Sequence, residues 1–273
     1  MRGSLAKHWR NGTLWTAIAR KARMPFQLRP TRKRRAYSSY TYSHLHKGRE
    51  YHAGFSTSPG RRMIWQLEQE ILESIAAERG PFSSHLDFAG GTGRIAAIMK
   101  RHCTTQYVLD VSQEMLAVAK ENVPGAKLIQ RDFNEGVPEI AEASQHLVTA
   151  FRFFPNAEPD LRNGAMRFIA SRLKPGGHLI CNNHRNFWSV PYVTQRLTFC
   201  GGTEGMTNEE MVSLARAHGL SLERRYSMGV LPQTEASCVL PWALAERLER
   251  SVFRRVGTRH RLGYDVVFVF ERA

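Results

Sequence analysis

The stretch that most constrains this chain runs from His85 to Arg94: His-Leu-Asp-Phe-Ala-Gly-Gly-Thr-Gly-Arg. It joins a short apolar strand to a helix through a turn almost free of side chains. Gly90, Gly91 and Gly93 tolerate positive φ and are expected to leave N–H groups uncovered at the start of a helix, where its dipole favours anionic groups. A backbone this bare can press against a nucleotide or a carboxylate. Asp87 ends the strand, so its carboxylate is expected to point into the same crevice. That position suits an amine or a hydroxyl better than a phosphate, and the ligand should be more than a dinucleotide pyrophosphate.

Gly91-x-Gly93-x-x-Ala96 also fits the dinucleotide fingerprint, so the segments that follow have to decide. Gln106 to Asp110 is a second apolar strand ending in an acid, placed to grip ribose hydroxyls. A third strand, Lys127 to Arg131, runs into Asp132-Phe133, an acid beside an aromatic that suits the amino edge and flat face of an adenine. Leu173-Lys174-Pro175-Gly176-Gly177 then reads as a helix stop before a strand from His178 to Asn182.

In this order the segments resemble the class I S-adenosylmethionine-dependent methyltransferases of small-molecule type. The matching residues are Asp87 through Gly93, Asp110-Val111-Ser112, Asp132-Phe133 and Lys174 through Gly177. Ala89 stands where that family usually has its first glycine. The resemblance implies an α/β fold built on a seven-stranded, mostly parallel Rossmann-like sheet, with the last strand antiparallel and helices on both faces. It implies S-adenosyl-L-methionine as cofactor, held by Asp87, Ala89, Gly90, Gly91, Gly93, Asp110, Val111, Asp132 and Phe133. In such proteins the segment before the first strand covers the cofactor, which makes Tyr51 a candidate for the methionine end, with plain packing under that cover as the competing reading. Met115 is a candidate for the adenine pocket and Phe151 for the cofactor floor, although both residue types also fill cores.

Methyl transfer asks the protein to align an acceptor and, for a hydroxyl, to remove a proton. His184, just past the fifth strand, is the best-placed base, since an unperturbed imidazole is partly neutral at pH 7. Asn183 or Asn186 is a candidate for fixing its tautomer, and an ordinary loop histidine is the alternative. Arg152, at the tip of the fourth strand, faces the same crevice and suits an anionic acceptor, unless it merely pairs Glu158 or Asp160. Trp188, Tyr192 and Tyr226 are candidate walls of the acceptor pocket. The fourth-strand tip lacks the Asp/Asn-Pro-Pro-Tyr/Phe box of amide N-methylators, no Pro-Cys nucleophile ends a strand, and the strand tips carry Arg, Asn and His where a metal would want carboxylates. Metal-independent chemistry is expected.

Charge divides the chain. Residues 1–49 hold 13 Lys/Arg and no acid, leaving 26 bases against 24 acids in the rest, so almost the whole net charge of +15 belongs to the tail. Residues 1–49 are therefore read as a basic tail and 50–273 as the methyltransferase domain, with segments near 184–206 and 228–263 covering the acceptor. Within the tail, residues 5–22 have the spacing of an amphipathic basic helix, which suits an anionic membrane surface or a nucleic acid, but a solvated tail fits equally. Arg35-Ala36-Tyr37-Ser38-Ser39 also resembles a mitochondrial presequence cleavage site. The four cysteines show no framework spacing and read as reduced thiols, which points to the cytoplasm, peripheral to a membrane if the tail binds one, or to the mitochondrial matrix. A non-catalytic member of the fold that binds RNA or an assembly partner through the tail is the rival to the enzyme.

Overall fold

The computed structural model describes residues 48–193, 205–231, 238–256 and 262–273. The tail through residue 47, and parts of both segments expected to cover the acceptor, lie outside the described residues. Two helices, α1 (Gly48–Thr57) and α2 (Pro59–Arg79), lead into β1 (Phe82–Phe88). Then come α3 (Arg94–Met99), β2 (Cys103–Asp110), α4 (Gln113–Asn122), β3 (Lys127–Gln130), β4 (Gln145–Ala150), α5 (Pro159–Arg172) and β5 (Leu173–Asn183). The chain finishes with α6 (Asn208–Ala217), β6 (Leu220–Met228), α7 (Trp242–Val256) and β7 (Asp265–Arg272).

The strands form one seven-stranded sheet in the order β3-β2-β1-β4-β5-β7-β6. β1 to β5 pair in parallel, and β7 runs antiparallel between β5 and β6. Parallel strands buried on both faces need apolar residues at successive positions, and the middle of the sheet has them. Leu86, Phe88, Val148, Leu179 and Phe268 pack towards α5 and α6, whereas Leu147, Ile180, Val267 and Val269 pack towards Leu67, Ile71 and Ile75 of α2. The strand order reverses between β1 and β4, and at such a switch point the carboxyl ends of neighbouring strands open a crevice.

Local signals account for most boundaries. Ser112 caps α4 by accepting from the Met115 N–H, and Thr207 with Glu210 forms a reciprocal capping box on α6. α2 begins at Pro59, because proline suits the first helical turn. β5 differs from expectation. It starts at Leu173 and takes Lys174 to Gly177 into the strand, through a register break opposite Gln145 and Leu147. A Cβ on Gly177 would lie 2.8 Å from the Lys174 carbonyl and 3.0 Å from that of Gln145, so this bulge closes only around glycine.

Candidate active site

The turn after β1 makes three demands on the backbone, at alternate residues. Ala89, Gly91 and Gly93 hold φ of +50°, +55° and +71°. A Cβ on Gly90 would meet Val108 at 2.8 Å and the Asp87 carboxyl at 2.9 Å, and one on Gly93 would meet Val123 at 2.9 Å. These two glycines are needed for packing. Gly91 differs: a Cβ there has nothing nearer than Asp110 Oδ2 at 4.0 Å, so this residue presents bare backbone to open space.

The N–H groups of the turn are not uncovered, contrary to the expectation from sequence. Gly90 N donates to the Leu109 carbonyl (3.1 Å), Gly93 N to the Gly90 carbonyl (2.9 Å) and Gly91 N to Asp110 Oδ2 (2.9 Å). The reason is the tightness of the turn, which folds each donor back onto its own neighbours. Such a turn offers a ligand close contact and a carboxylate edge, and no nest of donors for a phosphate.

Asp87 corrects a second expectation. Its carboxylate is buried and does not open into the crevice: Oδ1 accepts from Thr149 Oγ1 (2.7 Å) and Oδ2 from Ala96 N (3.2 Å). Behind it stands a buried relay. Gln106 Nε2 donates to His85 Nδ1 at 3.1 Å and also to the Ala96 carbonyl. His85 is therefore the Nε2–H tautomer, donating to Thr149 Oγ1 at 2.8 Å. Burial holds the His85 pKa down to about 3 and raises that of Asp87 to about 7, the latter opposed by the Thr149 and Ala96 hydrogen bonds. The relay joins β2, β1 and β4 beneath the turn and pins α3 to it.

Asp110 stands at the tip of β2 with its oxygens at the crevice mouth, Oδ1 accepting from Ser112 N (2.9 Å) and Oδ2 from Gly91 N. Burial raises its pKa, and those backbone N–H groups pull it back down. Val111 beside it is exposed and Met115, one turn into α4, is buried. Asp132 turns Oδ1 onto the backbone and side chain of Asn134, both at 2.9 Å, which caps a short turn. The Phe133 ring lies 5.2 Å from Phe88 and 5.8 Å from Phe168, inside an aromatic cluster. Phe151 is buried among α2-facing residues. Helix α1 lies over the turn: Gly48 sits against the Glu114 carbonyl, and His52 reaches Thr92 Oγ1 at 3.3 Å. Tyr51 meets Phe55 edge-on at 5.3 Å.

The tips of β4 and β5 make a charged corner. Arg152 holds φ of +61°, a strained value for a non-glycine residue, with its N–H on Asn182 Oδ1 at 2.7 Å. Asn182 Nδ2 donates in turn to Glu68 Oε1 (3.1 Å) and Asp265 Oδ1 (3.0 Å), two carboxylates brought from α2 and β7. In place of the alternative pairing with Glu158 or Asp160, Arg152 approaches Glu68 and Asp265, each at 3.9 Å. His184 is buried, and its Nδ1 has no hydrogen-bond partner among the described residues. Burial and then the charges of Arg152 and Arg185 hold its pKa well below the ordinary value, so it is neutral. Neither asparagine fixes its tautomer: Asn183 donates to the Met206 carbonyl and Asn186 to that of Gly263.

Comparison with known proteins agrees with this geometry. A family model described as a methyltransferase domain matches residues 86–177, from the end of β1 into β5. Residues 86–177 are thus similar to a methyltransferase domain, and the seven-stranded sheet is that of the class I methyltransferase fold. An S-adenosylmethionine-dependent methyltransferase from Thermotoga maritima shares the fold at 15% identity and a TM-score of 0.61, covering 85% of this chain and 99% of its own. The magnesium protoporphyrin IX methyltransferase of Synechocystis, solved with S-adenosylhomocysteine, superposes at 11% identity and 0.59, covering 87% and 99%. The N-methyltransferase NodS of Bradyrhizobium japonicum, also solved with S-adenosylhomocysteine, gives 15%, 0.58, 87% and 99%. No curated protein matches the sequence.

At the carboxyl edge of the sheet the crevice gathers Gly91, Asp110 and Val111, with α1 above. Asp87, Gly90 and Gly93 shape the turn from behind. The sequence reading missed Glu68 and Asp265. Glu68 carried a signal, since it shares the apolar face of α2 with Ile64, Leu67, Ile71 and Leu72, where an acid needs a partner. Of the candidate walls, the structure corrects Tyr226. Trp188 is 59% exposed, and Tyr226 is buried in the core with its hydroxyl taken by Arg224. A groove of about 860 Å³ runs between α1, α2 and α3 past Phe55, Trp65 and Ile98, and none of Asp87, Asp110 or His184 lines it.

Proposed function

We propose that the protein transfers a methyl group from S-adenosyl-L-methionine to a hydroxyl or amine of a small-molecule or lipid-linked acceptor. The observation that carries this reading is the pairing of Gly91 with Asp110: bare backbone facing open space beside a carboxylate whose oxygens are already oriented by two N–H donors. A nucleoside fits that pairing, its ribose hydroxyls donating to Asp110 while its body rests against Gly91. The turn's occupied N–H groups speak against a pyrophosphate in the same place. When bound, the cofactor supplies an electrophilic methyl on sulfur, so the chain's own task is alignment and proton handling.

On this reading helix α1 excludes water from the turn, and Asp110 sets the nucleoside's register. His184 is the proton acceptor for the methyl acceptor's hydroxyl or amine, being neutral, with Nδ1 unpartnered among the described residues. Arg152 orients the acceptor. Calorimetry with S-adenosylmethionine and S-adenosylhomocysteine tests the proposal: saturable heat is expected, weakened about 10- to 100-fold by Asp110→Ala, the loss of a charged hydrogen-bond acceptor. A folded wild type with no saturable heat overturns it. A labelled-methyl assay over small-molecule pools then compares wild type with His184→Ala, and equal turnover removes His184 from the mechanism.

A further inference from the structure

Three guanidinium groups converge on one aromatic ring beside the β4 and β5 tips. From the centroid of Phe55, on α1, Arg94 Cζ lies at 3.7 Å, Arg152 Cζ at 5.1 Å and Arg61 Cζ at 5.8 Å. Trp65 closes the other side of Arg94 at 4.0 Å. The acids nearest to Arg94 and Arg152 are held at arm's length. Arg94 Nη1 stops 3.6 Å from Glu68, and Arg152 Nη2 stops 3.9 Å from both Glu68 and Asp265, all beyond hydrogen-bonding distance. Arg152 Nε and Arg94 Nη1 are buried with no hydrogen-bond partner among the described residues.

The charge does not balance either. Burial, and then the neighbouring Glu68 carboxylate, raise the Asp265 pKa well above the ordinary range, which weakens its hold as a counter-ion. Arg94 and Arg152 together bring two positive charges to that pair. Buried cations with unused donors call for an anion to complete them.

We propose that this corner is the subsite for an anionic group, a carboxylate or phosphate, on the methyl acceptor, gripped by Arg152 and Arg94. The inference rests on the methyl-transfer reading and names the substrate class it implies. Arg152 is anchored on α2, β5 and β7, the half of the sheet edge that carries His184, while Arg94 opens α3 directly after Gly93, so the corner lies where the acceptor half meets the cofactor turn. Gly91 and Asp110 occupy the other half, over β1 and β2. Asn182 is the positioning residue, since its single amide fixes the strained Arg152 backbone and both acids.

Calorimetric titration of inorganic phosphate into the full chain saturated with S-adenosylhomocysteine tests the proposal. Saturable binding by the wild type is expected, weakened at least about tenfold in Arg152→Gln and less in Arg152→Lys, which keeps the charge but loses the planar fork. The affinities of Arg152→Gln for S-adenosylhomocysteine and for 5′-methylthioadenosine, which lacks the amino-acid carboxylate, should each stay within about twofold of wild type. Three results overturn it: no phosphate binding by the wild type, phosphate binding that S-adenosylhomocysteine abolishes, or an Arg152→Gln defect towards S-adenosylhomocysteine but not 5′-methylthioadenosine. The last two assign the corner to the cofactor's own carboxylate. If Arg152→Gln fails to fold, the wild-type titrations and Arg152→Lys still decide. Phosphate binding by a chain that ignores S-adenosylhomocysteine supports the anion subsite while removing the methyl-transfer reading, and the converse removes only the subsite.

Discussion

At the glycine turn, Ala89 holds a left-handed φ of +50°, a conformation that costs an L-residue roughly 1–2 kcal/mol. Ala89→Gly relieves that strain but loosens the unfolded chain, so chemical denaturation should show a change between zero and a gain of about 1 kcal/mol. Its neighbours separate packing from binding. Gly93→Ala combines a positive φ with a Cβ at 2.9 Å from Val123, and should destabilise the fold by about 2–4 kcal/mol. Gly91→Ala has room for its Cβ, so it should cost about 1 kcal/mol of stability while its loss of S-adenosylhomocysteine affinity exceeds that of any other turn variant that folds. Asp87 makes a pH prediction. Its folded pKa, about 7, lies above its unfolded value of 3.8, so the folded state binds the proton more tightly. The stabilisation is complete at low pH and is lost as pH rises from about 4 to about 7. Against an Asp87→Asn control, the wild type should lose up to ~1.4 kcal/mol per pH unit across that window, read from denaturation midpoints at successive pH values.

Helices α1 and α6 are held in different ways, and that difference can be measured. α6 owes its start to local chemistry, the reciprocal bonds of Thr207 and Glu210. Thr207→Ala should cost about 1 kcal/mol of stability without altering nucleoside affinity. α1 owes its place to tertiary contacts: Gly48 against α4, His52 on Thr92, and Phe55 against Arg94 and Trp65. Phe55→Ala removes the largest of these. Hydrogen exchange should then show α1 amides exchanging at least about tenfold faster with the central strands unchanged, because the helix opens as a local unit.

Across the whole molecule the charge asymmetry divides two questions that are easily confused. The 24 acids and 26 bases beyond residue 49 nearly cancel, so any attraction to polyanions is expected of the tail, whereas the proposed anion subsite takes one small anion. Deleting residues 1–47 should leave S-adenosylhomocysteine affinity within about twofold and abolish any salt-sensitive binding to RNA or anionic vesicles, checked by calorimetry and by flotation or filter binding at two ionic strengths. Retained polyanion binding by the truncated chain would place that surface on residues 48–273.

Much of this was legible from the chain alone. The order of apolar strands, the glycine turn after β1, the acids at the strand tips and the capping box on α6 are local or short-range signals, and a period of two or 3.6 reports them directly. The antiparallel last strand came from the resemblance, which the sheet order bears out. What only the tertiary structure decided was the direction of each polar group. The sequence places Asp87, Asp110 and Asp132 at strand ends alike, yet one is sealed beneath the turn, one lies at the crevice and one caps a turn of its own. The corner of Arg94, Arg152, Glu68 and Asp265 draws on α3, β4, α2 and β7, segments separated by scores of residues. No local pattern encodes such a meeting, because it is the packing of a helix across the sheet, and the cost of burying charge without a partner, that brings those groups together.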